Sequence, residues 1–525
     1  MPLATVACRA QIGLHAPLVH VEVSLSPGLP AFSIVGLPAT VVKESKERVR
    51  AALTNSRFEF PAGHITVNLA PADLPKEGGR FDLPIALGIL LASGQIAGSA
   101  NPEAIEFYGE LGLSGELKPV RGLLLAALNA SRWGHEIVVP RRNAEEARLA
   151  CRAPIRAADH LLEVCAHVAK TELLPDCNSG HSQFLPSQAQ GNTLDLTDVR
   201  GQIHAKRALV IAAAGGHSLL MIGPPGSGKS MLAQRLPGLL PGLTAAESLE
   251  VASIAAVSNL GFDESNFGRR PFRAPHHTAS APALVGGGSR ARPGEASLAH
   301  HGVLFLDELP EFPRATLEAL REPLESGVVS VSRAALQTQY PAAFQLVAAM
   351  NPCPCGHQGD PSAECKCTPA EVARYRGKIS GPLLDRIDMH VEVPRVEVIE
   401  FDDAVDRGES TSSAAARIVR TRQVQLARQG ICNARLADSQ VERWCRPDRA
   451  GRNVLERAMK WLGLSARARG RILKLARTIA DLDGDERINE LHVSQAVMLR
   501  CLDRTFAAAA AYGATIENRA PQQTR

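Results

Sequence analysis

Residues Gly223, Pro224, Pro225, Gly226, Ser227, Gly228, Lys229 and Ser230 run as G-x4-G-K-[ST]. An apolar run of strand length, Ser218–Ile222, precedes them, and a helical pattern follows. Glycines at these spacings let backbone N–H groups turn inward around phosphate oxygens, and the following helix adds its positive N-terminal end. Lys229 is placed to reach the β/γ-phosphates of a nucleotide, and the Ser230 hydroxyl to ligate Mg²⁺. A chance glycine turn is the bland alternative, and the flanking strand and helix argue against it.

About 80 residues downstream, the apolar run Val303–Leu306 ends in Asp307 and Glu308. Asp307 can hold the Mg²⁺ shell, and Glu308 can polarise the attacking water. An Asp-Glu pair after a strand is common by itself and gains weight only behind a phosphate loop. Asn351 closes the next apolar run, Gln345–Met350, and can orient that water; the alternative is a turn asparagine before Pro352. Arg386, in Gly381-Pro-Leu-Leu-Asp385-Arg386, can be supplied across a subunit boundary to neutralise charge on the γ-phosphate. Arg467, opening a later helical pattern, can reach the phosphates from within its own subunit. Each arginine reads equally well as a surface residue.

Cys353, Cys355, Cys365 and Cys367 form two C-x-C pairs nine residues apart, directly after Asn351. Four thiolates across such a loop can give a tetrahedral structural Zn²⁺ site. C-x-C makes a tighter chelate than the usual C-x2-C, so reduced free thiols or a redox disulfide stay open, with His357 as a competing ligand. His276 and His277 read as part of an insert rather than as a metal site.

These groups need elements to carry them, and 525 residues suffice for three to four domains. Hydrophobic residues at 45% and charged residues at 21% exclude a wholly disordered, collagen-like or disulfide-scaffold chain. No uninterrupted apolar run reaches membrane-spanning length, and no secretory signal pattern is visible. With eleven cysteines, an odd count, a cytoplasmic location is expected. Residues 1–175 read as a mixed α/β unit, with strands at Val19–Leu25, His64–Leu69 and Ile137–Pro140 and helices at Thr40–Asn55 and Pro84–Leu91. Residues 176–197 are rich in Ser, Gln, Pro and Gly and read as a linker. From 198 to 395 strands and helices alternate, which predicts a parallel α/β sheet. Residues 396–510 read as helices, at Ser412–Gln429, Arg452–Leu462, Ala466–Asp481 and Glu490–Leu502, and 511–525 as a flexible tail. Between Thr411 and Thr478 sixteen Arg/Lys face four Asp/Glu. That excess is either a solvated helical surface or an electropositive face for phosphates.

Residues 198–395 resemble an AAA+ ATPase of the magnesium-chelatase and MCM-like branch. The match rests on Asp198-Val-Arg-Gly201-Gln202, the phosphate loop, Arg270-Pro-Phe-Arg273-Ala-Pro-His276-His277, Pro293-Gly-Glu-Ala-Ser-Leu-Ala-His300, the Asp307–Glu308 strand and Met350-Asn351-Pro352. Nearly the whole chain resembles the ComM/YifB family of magnesium-chelatase-like ATPases. The resemblance implies a P-loop α/β core with a helical lid domain, ATP and Mg²⁺ as ligands, and a homo-hexameric ring with ATP sites between subunits. It also implies a pore-facing insert within about Leu260–Leu298 and a hairpin near Gly327–Tyr340, with Arg333 as a pore contact. The N-terminal unit resembles the Lon protease catalytic fold through Pro75-Lys-Glu-Gly78-Gly-Arg80-Phe81-Asp82, Gly109–Gly122 and Val139-Pro140-Arg-Arg-Asn143. Lon uses a Ser–Lys pair. The corresponding segments here, around Arg80 and Leu124, carry neither hydroxyl nor amine, so that acyl transfer has no means to occur.

The reading expected from these residues is an ATP-driven ring motor on single-stranded or branched DNA, which the family resemblance extends to branch migration in natural transformation. A magnesium-chelatase-type protein-remodelling ATPase is the alternative, and an ATP-dependent protease is disfavoured. No membrane contact is expected.

Overall fold

The strand Leu18–Ser26 alternates along LVHVEVSLS, and its Val19, Val21 and Val23 are fully buried, as a half-buried strand requires. The computed structural model describes residues 3–97, 104–178, 194–288, 291–333, 336–360, 363–395, 408–500 and 502. The 511–525 tail and residues 179–193 of the expected linker lie outside the described residues. In the N-terminal part the strands are β1 (Leu3–Arg9), β2 (Leu18–Ser26), β3 (Ala31–Val35), β4 (His64–Ala70), β5 (Ile105–Phe107), β6 (Glu136–Pro140) and β7 (Ile155–Ala158). They form one sheet in the order β3-β4-β2-β1-β5-β6-β7. β2 is antiparallel to β1 and β4, and the remaining pairs are parallel. Helices α1 (Thr40–Asn55), α2 (Asp82–Ala92) and α3 (Leu123–Trp133) share one apolar cluster with it. α2 is apolar all round and almost wholly buried, so it runs through the middle of the unit rather than over its surface.

The second sheet is built from β8 (Leu219–Ile222), β9 (Phe272–Arg273), β10 (Val303–Leu306), β13 (Gln345–Met350) and β14 (Met389–Glu392), in the order β9-β10-β13-β8-β14, every pair parallel. Between β10 and β13 the strands β11 (Val328–Arg333) and β12 (Leu336–Pro341) form an antiparallel hairpin. The continuous runs LLMI, VLFL and QLVAAM are buried throughout, the pattern of parallel strands covered on both faces. Helices α4 (Ile203–Gly215), α5 (Lys229–Leu239) and α6 (Ala245–Val257) precede β9, and α7 (Pro369–Arg376) follows β13. The functional ends of such sheets are the carboxyl ends of the strands.

β9 falls inside the stretch 260–298 that the resemblance assigns to a pore-facing insert. Two residues of strand are too short to show as periodicity, and β9 forms the sheet edge beside β10. The same stretch also holds a short antiparallel pair, Gly286–Gly287 with Arg292–Pro293, whose Ala291 is buried in the core beside the second sheet. The β11–β12 hairpin forms where expected, while the Arg333 side chain lies outside the description.

The longer C-terminal helices are α8 (Thr411–Gln429), α9 (Arg449–Leu462), α10 (Ala466–Asp483) and α11 (Glu490–Met498), and a short helix not expected from sequence, Asp438–Trp444, lies between the first two. Each has a side-chain N-cap: Ser410, Asp448, Ser465 and Asn489 accept from backbone N–H groups of the first turn. These helices share one apolar cluster with α4, α5 and the second sheet. Much of the local arginine excess is consumed in that packing. Arg422 donates to the Ala213 carbonyl at the end of α4, Arg428 and Arg477 both pair with Asp481, and Arg471 pairs with Asp388. The exposed remainder includes Arg443, Arg446, Arg449, Arg452, Arg457 and Lys460.

Candidate nucleotide site and four-cysteine loop

The loop from Gly223 to Gly228 leaves the end of β8 between two neighbours. The Gly223 N–H donates to the Met350 carbonyl of β13 (3.2 Å), and a Cβ on Gly223 would lie 2.0 Å from the Val393 carbonyl oxygen after β14. Glycine is therefore required there by close approach. Gly226 and Gly228 have φ of +76° and +89°, which turns the loop into the N-terminus of α5. Lys229 is buried, and its ammonium donates to the carbonyls of Gly223 (2.7 Å) and Pro224 (2.8 Å) and to Asn351 Oδ1 (3.3 Å). Burial pulls the Lys229 pKa down, against the pull of Asp307 and Glu308 upward.

Asp307 and Glu308 sit at the end of β10. The Ser230 hydroxyl donates to Asp307 Oδ2 at 2.7 Å, so the two oxygens expected to share a Mg²⁺ shell already face each other. Glu308 has a left-handed backbone, φ +53°, which is uncommon for a residue with a Cβ. Its carboxylate pairs with His277 Nδ1 at 3.0 Å. Ser230, Asp307, Glu308, His276 and His277 line a common cavity of about 340 Å³. His277 follows β9, and its role was invisible in sequence because the strand that delivers it is so short.

Gln202 also went unassigned. Its amide donates to the Ser227 carbonyl inside the phosphate loop (3.2 Å) and to the Pro394 carbonyl beyond β14. Its φ of +55° aims it there, and the only signal in sequence was its place in Asp198-Val-Arg-Gly201-Gln202.

The site residues expected from sequence divide into two groups. Lys229, Ser230, Asp307, Glu308 and Asn351 converge at the carboxyl ends of β8, β10 and β13. Arg386 does not join them through any described hydrogen bond. Its guanidinium pairs with Glu325 and donates to the Pro382 carbonyl (2.7 Å). Arg467 is exposed near the start of α10 and makes no ion pair among the described residues.

The donor set fits a magnesium nucleotide. The ammonium of Lys229 now rests on loop carbonyls that phosphate oxygens would replace. The buried Ser227 hydroxyl has no protein partner, an orphaned group that a bound ligand can satisfy.

Beyond Asn351, the sulfurs of Cys353 and Cys355 lie 3.4 Å apart, and Cys365 lies 3.7 Å from each. All four ligand atoms, Cys367 included, fall within 4.8 Å of one another. Tetrahedral Zn–S bonds of about 2.3 Å put sulfurs roughly 3.8 Å apart, whereas a disulfide needs about 2.05 Å. The four thiols therefore fit a metal better than a disulfide. The backbone N–H of His357 and the neighbouring thiols draw the exposed Cys355 thiol down to about 6. A second group, Glu250 with His300 and His301, does not fit. The Ala343 N–H donates to His300 Nδ1 (3.0 Å), so the neutral ring carries its proton on the Nε2 that faces Glu250.

The positions around Arg80 and Leu124 are filled from within the chain. Arg80 is buried, and its guanidinium donates to Gln11 Oε1 (2.8 Å) and to the Arg121 carbonyl (2.6 Å). Leu124 is buried at the start of α3, with its N–H on Glu146 Oε1 (3.0 Å).

A parallel five-stranded sheet with a phosphate loop after β8, carboxylates after β10 and an asparagine after β13 defines an AAA+ P-loop ATPase core. Family models agree along the chain. Residues 195–401 match "Magnesium chelatase, subunit ChlI", residues 21–143 match "Subunit ChlI of Mg-chelatase", and residues 408–500 match "Magnesium chelatase, subunit ChlI C-terminal". Competence protein ComM of Haemophilus influenzae is 49% identical over 504 residues, 96% of this chain and 98% of that protein. The uncharacterised protein YifB of Escherichia coli is 47% identical over 507 residues, with the same two shares. The magnesium-chelatase 38 kDa subunit of Cereibacter sphaeroides is 29% identical over 230 residues, 39% of this chain and 62% of that protein. The chain belongs to the ComM/YifB family of magnesium-chelatase-like proteins. No described helix is long and apolar enough to cross a membrane.

Proposed function

We propose that this chain is a Mg²⁺-dependent ATP-hydrolysing motor that assembles as a homo-hexameric ring and acts on DNA. The observation that carries the ATPase reading is the meeting of Lys229, Ser230, Asp307 and Asn351 beside Glu308. Lys229 binds the β/γ-phosphates, Ser230 and Asp307 hold the metal, and Asn351 orients the water that Glu308 deprotonates. The metal, when bound, neutralises charge on the β- and γ-phosphates. Arg386 acts on the γ-phosphate of a neighbouring subunit, which requires its release from Glu325. Arg467 acts from the lid of its own subunit.

The DNA reading rests on the exposed basic residues of α9 and its surroundings, on the β11–β12 hairpin, and on similarity across 96% of the chain to a protein named for competence. It extends to branch migration of recombination intermediates in natural transformation, in the cytoplasm. The N-terminal unit, 1–175, is a Lon-protease-like fold without its catalytic pair and serves binding or assembly. A linker (176–197), the ATPase core (198–395), the helical lid (396–510) and a tail (511–525) complete the chain. The four-cysteine loop binds one structural zinc.

A protein-remodelling ATPase of the magnesium-chelatase kind is the second reading, favoured by the family descriptions. Its named relative covers only 39% of this chain, which weighs against it. Measuring ATP turnover of the assembled protein with and without single-stranded and forked DNA separates the two. Stimulation and low-salt binding are expected, and their absence would hand the lead to protein remodelling.

A further inference from the structure

We propose that the four-cysteine loop is a positioning element for the phosphate loop, so that metal held by the cysteines sets nucleotide affinity. This rests on the nucleotide and zinc readings above and adds a mechanical link between them. The link begins at Asn351, which touches Lys229 and is followed directly by Pro352 and Cys353. Three residues later Gly356 adopts φ +85°, and its backbone packs on the Pro225 ring. A Cβ there would lie 2.7 Å from Pro225 Cδ and 2.9 Å from Cγ. Pro225 immediately precedes Gly226, whose left-handed turn helps aim the phosphate-binding N–H groups.

The return path is equally defined. Cys365 and Cys367 lead into Thr368, which caps α7 by accepting from the Glu371 N–H. From α7, Arg376 donates twice to the Pro352 carbonyl (3.2 and 3.1 Å) and once to Gln358 Oε1 (3.2 Å). The Tyr375 hydroxyl meets the backbone of Asn351. Asn351, the cysteine loop and α7 thus form a closed circuit of contacts around the back of the phosphate loop. The junction between the two cysteine pairs is sulfur against sulfur, Cys365 lying 3.7 Å from both Cys353 and Cys355. An ion shared by four thiolates closes that junction, and its loss lets the loop spread and withdraw Gly356 from Pro225.

Two glycines of the same loop give the test. Gly356 and Gly359 both have left-handed backbones, φ +85° and +79°, but a Cβ on Gly359 meets nothing within 4 Å. Alanine strains the left-handed backbone at either position, and only at Gly356 does it also strike Pro225. Zinc content and affinity for a fluorescent ADP are measured for the full chain, Gly356→Ala and Gly359→Ala, purified under reducing conditions. All three should hold one zinc per chain. Gly359→Ala should bind ADP like the parent, and Gly356→Ala about tenfold more weakly. Stripping zinc from the parent with a chelator should give a similar loss, reversed on adding zinc back. Equal ADP affinity of the two variants at full zinc content overturns the proposal, as does unchanged ADP affinity after stripping. If Gly356→Ala loses its zinc, the stripping arm decides with the same two outcomes. A parent chain without zinc defeats the metal reading itself, and a parent that binds no ADP defeats the nucleotide reading instead.

Discussion

Two regions of this chain carry motif-like sequence at the start of a helix, and they are built in opposite ways. Around Arg80 every strong polar group is answered from within the chain: the guanidinium by Gln11 and the Arg121 carbonyl, and the Leu124 N–H by Glu146. Around Lys229 the answers are provisional. The ammonium leans on loop carbonyls, the Ser227 hydroxyl has no partner, Glu308 is held in a left-handed backbone, and a cavity of about 340 Å³ opens beside it. A polar group with its own internal partner gains little from a ligand, whereas an orphaned or strained one gains a great deal. The contrast separates a filled site from a waiting one without reference to which motif each resembles.

The sharpest way to break this contrast is to remove the chemistry on the waiting side. Glu308→Gln should leave nucleotide binding intact and lower turnover by about 10²- to 10⁴-fold, the range for losing a general base. Lys229→Ala should instead weaken binding. Turnover and ADP affinity, measured separately, distinguish the two; near-parental turnover in Glu308→Gln would remove the carboxylate from the mechanism.

The next effect concerns protons refused by packed regions. Burial above all, with a neighbouring charge, pulls His300 down to about 4 and His390 to about 3. Unfolded histidines take up protons near pH 6.5. Below that value the unfolded chain binds more protons than the folded one, so stability is complete above pH 6.5 and falls as the pH drops towards 4. With the unfolded rings half protonated at pH 6.5 and the slope approaching about 1.4 kcal/mol per pH unit and group below it, moving from pH 6.5 to 5 costs roughly 3 kcal/mol for the pair. Thermal unfolding across that range measures it, and a melting temperature independent of pH would contradict neutral burial of these rings.

On the filled side, Arg80→Ala should destabilise the N-terminal unit by about 3 kcal/mol, since it leaves buried acceptors unpaired and a cavity behind. ATP turnover at 25 °C should not change. A loss of turnover without a loss of stability would mean the region is not simply filled.

The smallest effect is expected at His277. The His277–Glu308 pair is partly exposed, with side chains 33% and 53% accessible, so it contributes no more than about 1 kcal/mol. Releasing the Glu308 oxygen in His277→Ala should therefore raise basal turnover by at most about fivefold, and a steady-state assay without DNA reads it.

Much of this was legible in sequence because it depends on local pattern. The buried runs of β8, β10 and β13, the glycines of the phosphate loop and the carboxylates after β10 need no distant partner to be recognised. What escaped depends on pairing across the chain. Arg422 looks like surface charge until its acceptor, 209 residues away, is in view. Gln202 and His277 are ordinary residues whose importance comes from Ser227 and Glu308, and β9 is too short to announce itself. Arg386 was legible as a candidate, but its pairing with Glu325 was not.

Gln202 has a further consequence. Its one amide reaches both Ser227 and Pro394, so the places where the chain joins and leaves the second sheet's core lie within a single side chain of each other. A unit whose two ends meet can be lifted out and spliced into another polypeptide without stretching either host segment. The core is in that sense a portable cassette, and its seam is fastened at the loop that reads the nucleotide. Whatever is spliced to either end is attached at the most responsive point of the cassette, so one event there can be transmitted to both attachments together.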